Sequence, residues 1–69
     1  MKEITSHNIR ILKARKGISS YRLIIDTGLN KHTFKNLEYG NCEPKCSQAI
    51  KLSEYFGIDI KQFLTIKLN

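Results

Sequence analysis

This 69-residue chain has few cysteines and no long apolar run. Cys42 and Cys46 are its only cysteines. Their C-x3-C spacing is no standard zinc signature, and His7 and His32 lie at no ligand-like spacing from them. No apolar run approaches the roughly 18 to 20 residues of a membrane span, and the polar start of the chain lacks the apolar centre of a signal peptide. We therefore expect a cytoplasmic protein with no structural disulfide, no metal site and no membrane association.

Acidic residues are also in short supply. The chain has six Asp and Glu against twelve Lys and Arg, for a formal net charge of +6. This excess favours a polyanionic partner, with nucleic acid ahead of a membrane surface. Residues 1–45 hold nine of the basic side chains and four of the acidic ones, so we expect the nucleic-acid surface in the first two thirds of the chain. The basic residues are spread over several predicted helices, which disfavours an amphipathic membrane-surface binder.

Catalytic signatures are missing as well. The sequence contains no recognisable nucleophile paired with a base, no phosphate-cradling glycine loop and no metal-ligand set. We therefore predict no catalytic residues, no cofactor and no small-molecule ligand. The length and the hydrophobic share of 41% suit one folded domain, residues 1–69, rather than a disordered chain.

Helical periodicity predicts an all-α chain of five helices, at residues 5–16, 20–26, 31–39 and about 46–56, with a short fifth after Asp59. Polar residues suited to capping precede or open four of them: Thr5 or Ser6, Ser19, Asn30, and Asp59 with Gln62. Glycines are expected to end the first four: Gly17, Gly28, Gly40 and Gly57. In the fourth helix, three- and four-residue steps predict that Cys46 lies in the core. Cys42, in the loop before Pro44, is expected to be exposed.

A gapless series of motifs runs from about Ile9 to Leu64. It comprises GISSYRL at 17–23, TGLNKHTF at 27–34, LEYG at 37–40, Pro44, KL at 51–52, FGI at 56–58 and FL at 63–64. In this series the chain resembles the Cro and lambda-repressor type helix-turn-helix family, also called the xenobiotic-response-element family. The resemblance implies a compact five-helix bundle in which helices 2 and 3 form the DNA-binding unit, followed by a tail at 65–69. In such a unit the third helix enters the major groove.

The resemblance also implies roles for individual residues. Contacts to base edges are expected from Asn30, Lys31, His32, Lys35 and Asn36. Contacts to phosphates are expected from Ser19, Ser20, Tyr21, Tyr39, Gly40, Asn41 and Lys45. Alternative interpretations are a solvated helix face for the first group, with Asn30 acting only as a cap, and partial packing for Tyr21.

Two further expectations concern packing. Glu38 is expected to form a structural ion pair with Lys13, the alternative being two independent solvated charges. Ser20, Ile24 and Thr27 stand where the family usually has Gln, Ala and Leu. The short Ser20 cannot both reach a phosphate and support the third helix, and Ile24 must fill volume that Thr27 leaves.

The resulting functional prediction is sequence-specific binding of double-stranded DNA by a small transcriptional regulator, with repression ahead of activation. A homodimer on an operator is expected, with contacts from Ile58, Ile60, Ile66 and Leu68, since one domain covers only a half-site. The alternative is a protein-interaction module, such as an antitoxin or an adaptor, built on the same fold. The operator sequence and the regulated genes do not follow from the sequence.

Overall fold

The computed structural model describes residues 2–69, and its helices share one small core. They are Lys2–Lys16 (α1), Ser20–Thr27 (α2), Lys31–Glu38 (α3), Cys46–Phe56 (α4) and Ile60–Thr65 (α5). No strand forms within residues 2–69. α1 packs against α3 and α5, while α4 packs against α5 and α2. The predicted all-α, five-helix fold is confirmed.

Apolar side chains from every helix meet in the core. Those that are buried are Ile9, Leu12, Leu23, Leu29, Phe34, Leu37, Ala49, Leu52 and Phe63. Full burial of a Leu, Ile or Phe side chain is worth about 1.5–3 kcal/mol relative to exposure. The buried apolar side chains of α2, α3 and the turn between them are Leu23, Leu29, Phe34 and Leu37, and Ile24 packs beside them while partly buried. Each of the four buried side chains therefore contributes strongly to holding the two short helices in place.

Local capping explains where the short helices begin. The Ser19 hydroxyl accepts a hydrogen bond from the Arg22 amide at 3.2 Å, and Asn30 Oδ1 accepts from the His32 amide at 2.9 Å. The Asp59 carboxylate accepts from the Lys61 amide at 3.0 Å. These side chains supply acceptors for N–H groups that have no partner in the first turn of a helix. Of the four predicted caps, those at Ser19, Asn30 and Asp59 are confirmed.

The predicted start of α1 is wrong. The helix begins at Lys2, and Thr5 and Ser6 lie inside it, 1% and 6% exposed, rather than capping it. Their side of α1 faces the end of α3, where Gly40 comes so close that a Cβ on it would lie 3.2 Å from Ser6 Oγ. Small polar residues permit this approach, so they serve packing rather than capping. Elsewhere the bounds differ by one residue, with α2 extending to Thr27 and α3 ending at Glu38.

The two cysteines lie in the opposite environments to those predicted. Cys46 is exposed, whereas Cys42 is half-buried and packs against the core. The buried positions of α4 are Ala49, Leu52 and Ser53, and these three residues define the face of the helix that meets the core. At 3.6 residues per turn, Cys46 lies roughly 70° from the centre of that face. It also belongs to the first turn of the helix, ahead of the buried positions.

A buried asparagine fastens the C-terminal segment to α1. Asn8 is 0% exposed, and its Nδ2 donates to the carbonyls of Phe63 and Ile66, both at 2.8 Å. Its Oδ1 accepts from the Leu68 amide at 2.8 Å. His7 adds a bond of 2.6 Å from Nε2 to the Leu68 carbonyl. Residues 66–69 therefore lie along α1 without forming a strand.

We expect Asn8→Ala to lower the free energy of unfolding by about 2–3 kcal/mol, because two carbonyls and one amide would lose their partner in a poorly hydrated place. Urea denaturation followed by far-UV circular dichroism measures the change. Asn41→Ala, at an exposed asparagine, is the matched control and should leave stability within about 0.5 kcal/mol of the wild type. Equal stability of the two variants would contradict the role given to Asn8.

Candidate nucleic-acid interface

The turn between α2 and α3 is held by short-range interactions. Gly28 closes α2 in the left-handed conformation, with φ 73°, and its amide donates to the Ile24 carbonyl at 2.9 Å. Thr27 Oγ1 donates to the Leu23 carbonyl at 2.7 Å and accepts from the Leu29 amide at 3.4 Å. Leu29 then enters the core. A Cβ at residue 28 would meet no neighbouring atom, so glycine is needed there for its backbone angle alone.

The outward side of α3 presents donor-rich polar side chains. Lys31, His32 and Lys35 are exposed and Asn36 is half-buried, whereas Phe34 and Leu37 face the core. The structure thus brings the base-contacting candidates of α3 together on one side of a helix. Its carboxylate, Glu38, is only 7% exposed, so the outward side of α3 carries no accessible acid.

Asn30 differs from the other base-contacting candidates because its side chain is already engaged. Its Oδ1 accepts from the amides of His32 and Thr33, at 2.9 and 3.3 Å. A bidentate contact to adenine requires both the oxygen and the nitrogen of an amide. The engaged Oδ1 leaves Asn30 with only its NH₂ group available to a partner, whereas no hydrogen bond from residues 2–69 holds the side-chain amide of Asn36.

The phosphate-contacting candidates lie at the start of α2 and after α3. Ser19, Tyr21, Tyr39, Asn41 and Lys45 are exposed, while Ser20 and Gly40 are half-buried. The two tyrosines are 74% and 62% exposed, so both present their hydroxyls to solvent. The amide of Gly40 donates to the Leu37 carbonyl at 3.3 Å and is already in use. Gly40 is thus better suited to let the chain turn, with φ 77°, than to donate to a phosphate.

A polar cluster lies where α1, α2 and α3 meet. Lys13 Nζ forms an ion pair with Glu38 Oε2 and donates to Ser20 Oγ at 2.7 Å. The Lys13 and Glu38 side chains are 22% and 9% exposed, so the pair is largely shielded from water. The structure therefore brings together the two residues paired by sequence reasoning and adds Ser20 to them.

A second polar link, between α2 and α4, was missed in the sequence. The Tyr55 hydroxyl donates to Asp26 Oδ2 at 2.6 Å, and Arg22 Nε lies 3.1 Å from the same oxygen. The Tyr55 bond, supported by Arg22, lowers the pKa of Asp26, and the same bond raises the pKa of Tyr55. Lys16 Nζ lies 4.9 Å from the centre of the Tyr55 ring. Only the i,i+4 spacing of Arg22 and Asp26 was visible in the sequence.

The dimer-contact candidates differ in accessibility. Ile66 is 51% exposed. Ile58 and Leu68 pack against the core, and Ile60 is half-buried. Ile66 is therefore the member of this set that presents most apolar surface to solvent.

Metal-ligand clusters and membrane-spanning helices are both absent from residues 2–69. This part of the chain places no three His, Cys, Asp or Glu side chains where they could hold a metal ion. None of its helices has the length and apolar character needed to cross a membrane.

Comparison with known proteins identifies one family. A family model described as Cro/C1-type HTH DNA-binding domain matches residues 8–68. Neither the curated proteins nor the solved structures gave a match to this chain. The matched residues include the whole of α2, the turn and α3, and extend into the segment held by Asn8.

We expect Tyr55→Phe to change how stability depends on pH. The pKa of Asp26 is lowered in the folded protein, so the link stabilises above about pH 4 and is lost as the pH falls through the folded-state value. The pKa of Tyr55 is raised in the folded protein, so the link is complete below about pH 10, the unfolded-state value. It is lost as the pH rises through the higher folded-state value. The difference in melting temperature between wild type and variant should therefore be largest between these limits.

Thermal unfolding across pH 2–11 tests this dependence. Tyr39→Phe, at an exposed hydroxyl, is the matched control and should follow the wild-type profile. A Tyr55→Phe profile that runs parallel to the wild type at every pH would contradict the Asp26–Tyr55 link.

Proposed function

The chain belongs to the Cro/C1-type helix-turn-helix DNA-binding family, and we propose that it binds specific sequences in double-stranded DNA to regulate transcription, chiefly as a repressor. The observation that carries this proposal is the outward side of α3. It offers Lys31, His32, Lys35 and Asn36 without an accessible carboxylate, on the second helix of a helix-turn-helix, which is the helix that enters the major groove in this motif.

Each side chain on this surface suits a group on a base edge. Lysines donate to O6 and N7 of guanine, and a free amide such as that of Asn36 pairs with N6 and N7 of adenine. His32 donates or accepts, depending on its tautomer. Because Glu38 is withdrawn into the polar cluster, α3 brings no repulsive charge toward the phosphates.

Phosphate contacts on both sides of α3 would fix its register on the duplex. Ser19 and Tyr21 at the start of α2, with Tyr39, Asn41 and Lys45 after α3, are exposed and supply hydroxyl, amide and ammonium donors. Such contacts position the protein but carry no sequence information. The net charge of +6 adds a non-specific attraction to the duplex.

Regulation by this domain requires occupancy rather than catalysis. A protein bound across a promoter excludes other proteins from it, so repression needs no chemistry beyond binding. The proposal includes a cytoplasmic location, where a regulator of this kind meets its DNA. It involves neither a cofactor nor a small-molecule ligand.

A homodimer completes the proposal. One domain covers a half-site of a few base pairs, and two half-sites about 34 Å apart lie on the same side of the duplex. We infer that the edge formed by residues 58–68 joins the two copies, with Ile66 as its central apolar contact. The exposure of the Ile66 side chain supports this inference, since the bond from Asn8 to the Ile66 carbonyl fixes the backbone that carries it.

Selection of duplex DNA from a random pool, followed by affinity measurement on the selected operator, tests the proposal. We expect Lys31→Ala and Asn36→Ala each to weaken specific binding by about 1–3 kcal/mol and to relax selection at the contacted base. Lys51→Ala, at an exposed lysine of α4, is the control and should retain the operator preference. Unchanged affinity and selected sequence in both α3 variants would exclude α3 as the helix that contacts bases.

The dependence of affinity on salt separates DNA binding from a protein-interaction module. Neutralisation of Z phosphates predicts a log–log slope of about −0.9Z, whereas an apolar protein contact depends little on salt. A pool that yields no specific duplex, together with salt-independent capture of a protein partner, would favour the antitoxin or adaptor alternative.

For the dimer, we expect Ile66→Lys to weaken self-association, because it places a charge in an apolar contact. Sedimentation with and without operator DNA measures this effect. Ile50→Lys, at another exposed isoleucine, is the matched control and should leave the assembly unchanged. A wild-type protein that stays monomeric at high micromolar concentration, with and without operator, would refute the dimer.

A further inference from the structure

Ser20 is the first residue of α2, and its side chain turns inward to the cluster formed with Lys13 and Glu38. Its Oγ lies 2.7 Å from Lys13 Nζ and 3.1 Å from each oxygen of the Glu38 carboxylate. The three residues come from α1, α2 and α3. One hydroxyl therefore touches side chains of both other helices.

The chemistry of the three groups decides where the hydroxyl proton points. A serine hydroxyl has one O–H donor and two acceptor lone pairs, an ammonium only donates and an ionised carboxylate only accepts. Lys13 must therefore donate into a lone pair of Ser20, and Ser20 must direct its single proton to Glu38. A phosphate oxygen is also purely an acceptor, so Ser20 has no second proton to offer it.

The packing shows what this arrangement joins. α2 packs chiefly on α4, whereas α3 packs chiefly on α1. The turn at 28–30 connects α2 to α3 at one end only. Ser20 lies at the opposite end of α2 and Glu38 is the last residue of α3, so the cluster links the two helices away from the turn.

We propose that Ser20 is a positioning residue: it locks the start of α2 to the end of α3 through Lys13 and Glu38, and it does not contact a phosphate. This inference rests on the proposed DNA binding for its functional consequence, since the angle between α2 and α3 sets how α3 enters the groove. It replaces the expectation that Ser20 donates to the DNA backbone.

A double-mutant cycle tests the proposal. Ser20→Ala should weaken operator affinity roughly three- to tenfold, in line with the loss of one hydrogen-bonded link to a charged pair. The same substitution should cost nothing further in a Lys13→Met/Glu38→Leu background, because both partners are then absent. Ser20→Thr keeps the hydroxyl and should restore affinity, while Ser47→Ala, at an exposed serine of α4, is the control.

A direct phosphate contact predicts a different pattern. Ser20→Ala would then reduce operator affinity equally in both backgrounds, and this result would overturn the proposal. The proposal would also be overturned if Ser20→Ala reduced affinity in neither background, or if Ser20→Thr failed to restore it. Operators with single methylphosphonate replacements provide a second test that needs only the Ser20 variants. Wild type and Ser20→Ala should show the same set of sensitive phosphates, and loss of one site in the variant would refute the inference.

The same cycle measured by urea unfolding without DNA separates this proposal from the proposed function. Ser20→Ala should reduce stability in the wild-type background and not in the Lys13→Met/Glu38→Leu background. Additive losses would show that Ser20 does not act through the pair. A wild type that selects no duplex would overturn the functional half of the inference together with the proposed function, while the unfolding cycle would still decide whether the link exists.

Discussion

The enclosed carboxylate of Glu38 is the constraint on which the candidate interface depends. A carboxylate removed from water is costly unless it is paired and hydrogen-bonded. Here the partner is Lys13 from α1, with the Ser20 hydroxyl completing the cluster. To satisfy this one charge, three helices must approach in a fixed arrangement. The same arrangement removes the carboxylate from the side of α3 that carries Lys31 and Lys35.

The rest of the bundle shows how a 69-residue chain supplements a small apolar core. Asn8 occupies a fully buried position and uses both ends of its amide to hold the backbone at residues 63, 66 and 68. At the surface of the bundle, Tyr55 and Asp26 join α4 to α2. A buried polar group such as Asn8 stabilises the fold only when all of its donors and acceptors find partners. Among residues 2–69, no buried side-chain nitrogen or oxygen is left without one.

Much of the local structure was predictable from the sequence. The bounds of α4, the caps at Ser19, Asn30 and Asp59 and the left-handed Gly28 all matched, because each depends on residues within about four positions of one another. The start of α1 was missed because Thr5 and Ser6 resemble caps, and only the approach of Gly40 shows that they are packing residues. The two cysteines were misplaced because the inner face of α4 is centred away from Cys46 and because the loop that carries Cys42 packs against the core, which no local pattern shows.

The sequence by itself determined the class of protein: the helical pattern, the excess of positive charge and the ordered motifs around Gly28 identified a Cro-like helix-turn-helix chain. Its match to that family over residues 8–68 agrees. Only the tertiary structure decided how the polar residues divide their hydrogen bonds. It shows that both ends of the Asn8 amide and the hydroxyl proton of Ser20 are used within the protein, whereas the donors of α3 face solvent. The physical reason is that a donor or acceptor satisfies a limited number of partners, and those partners come from segments up to 61 positions apart in the chain.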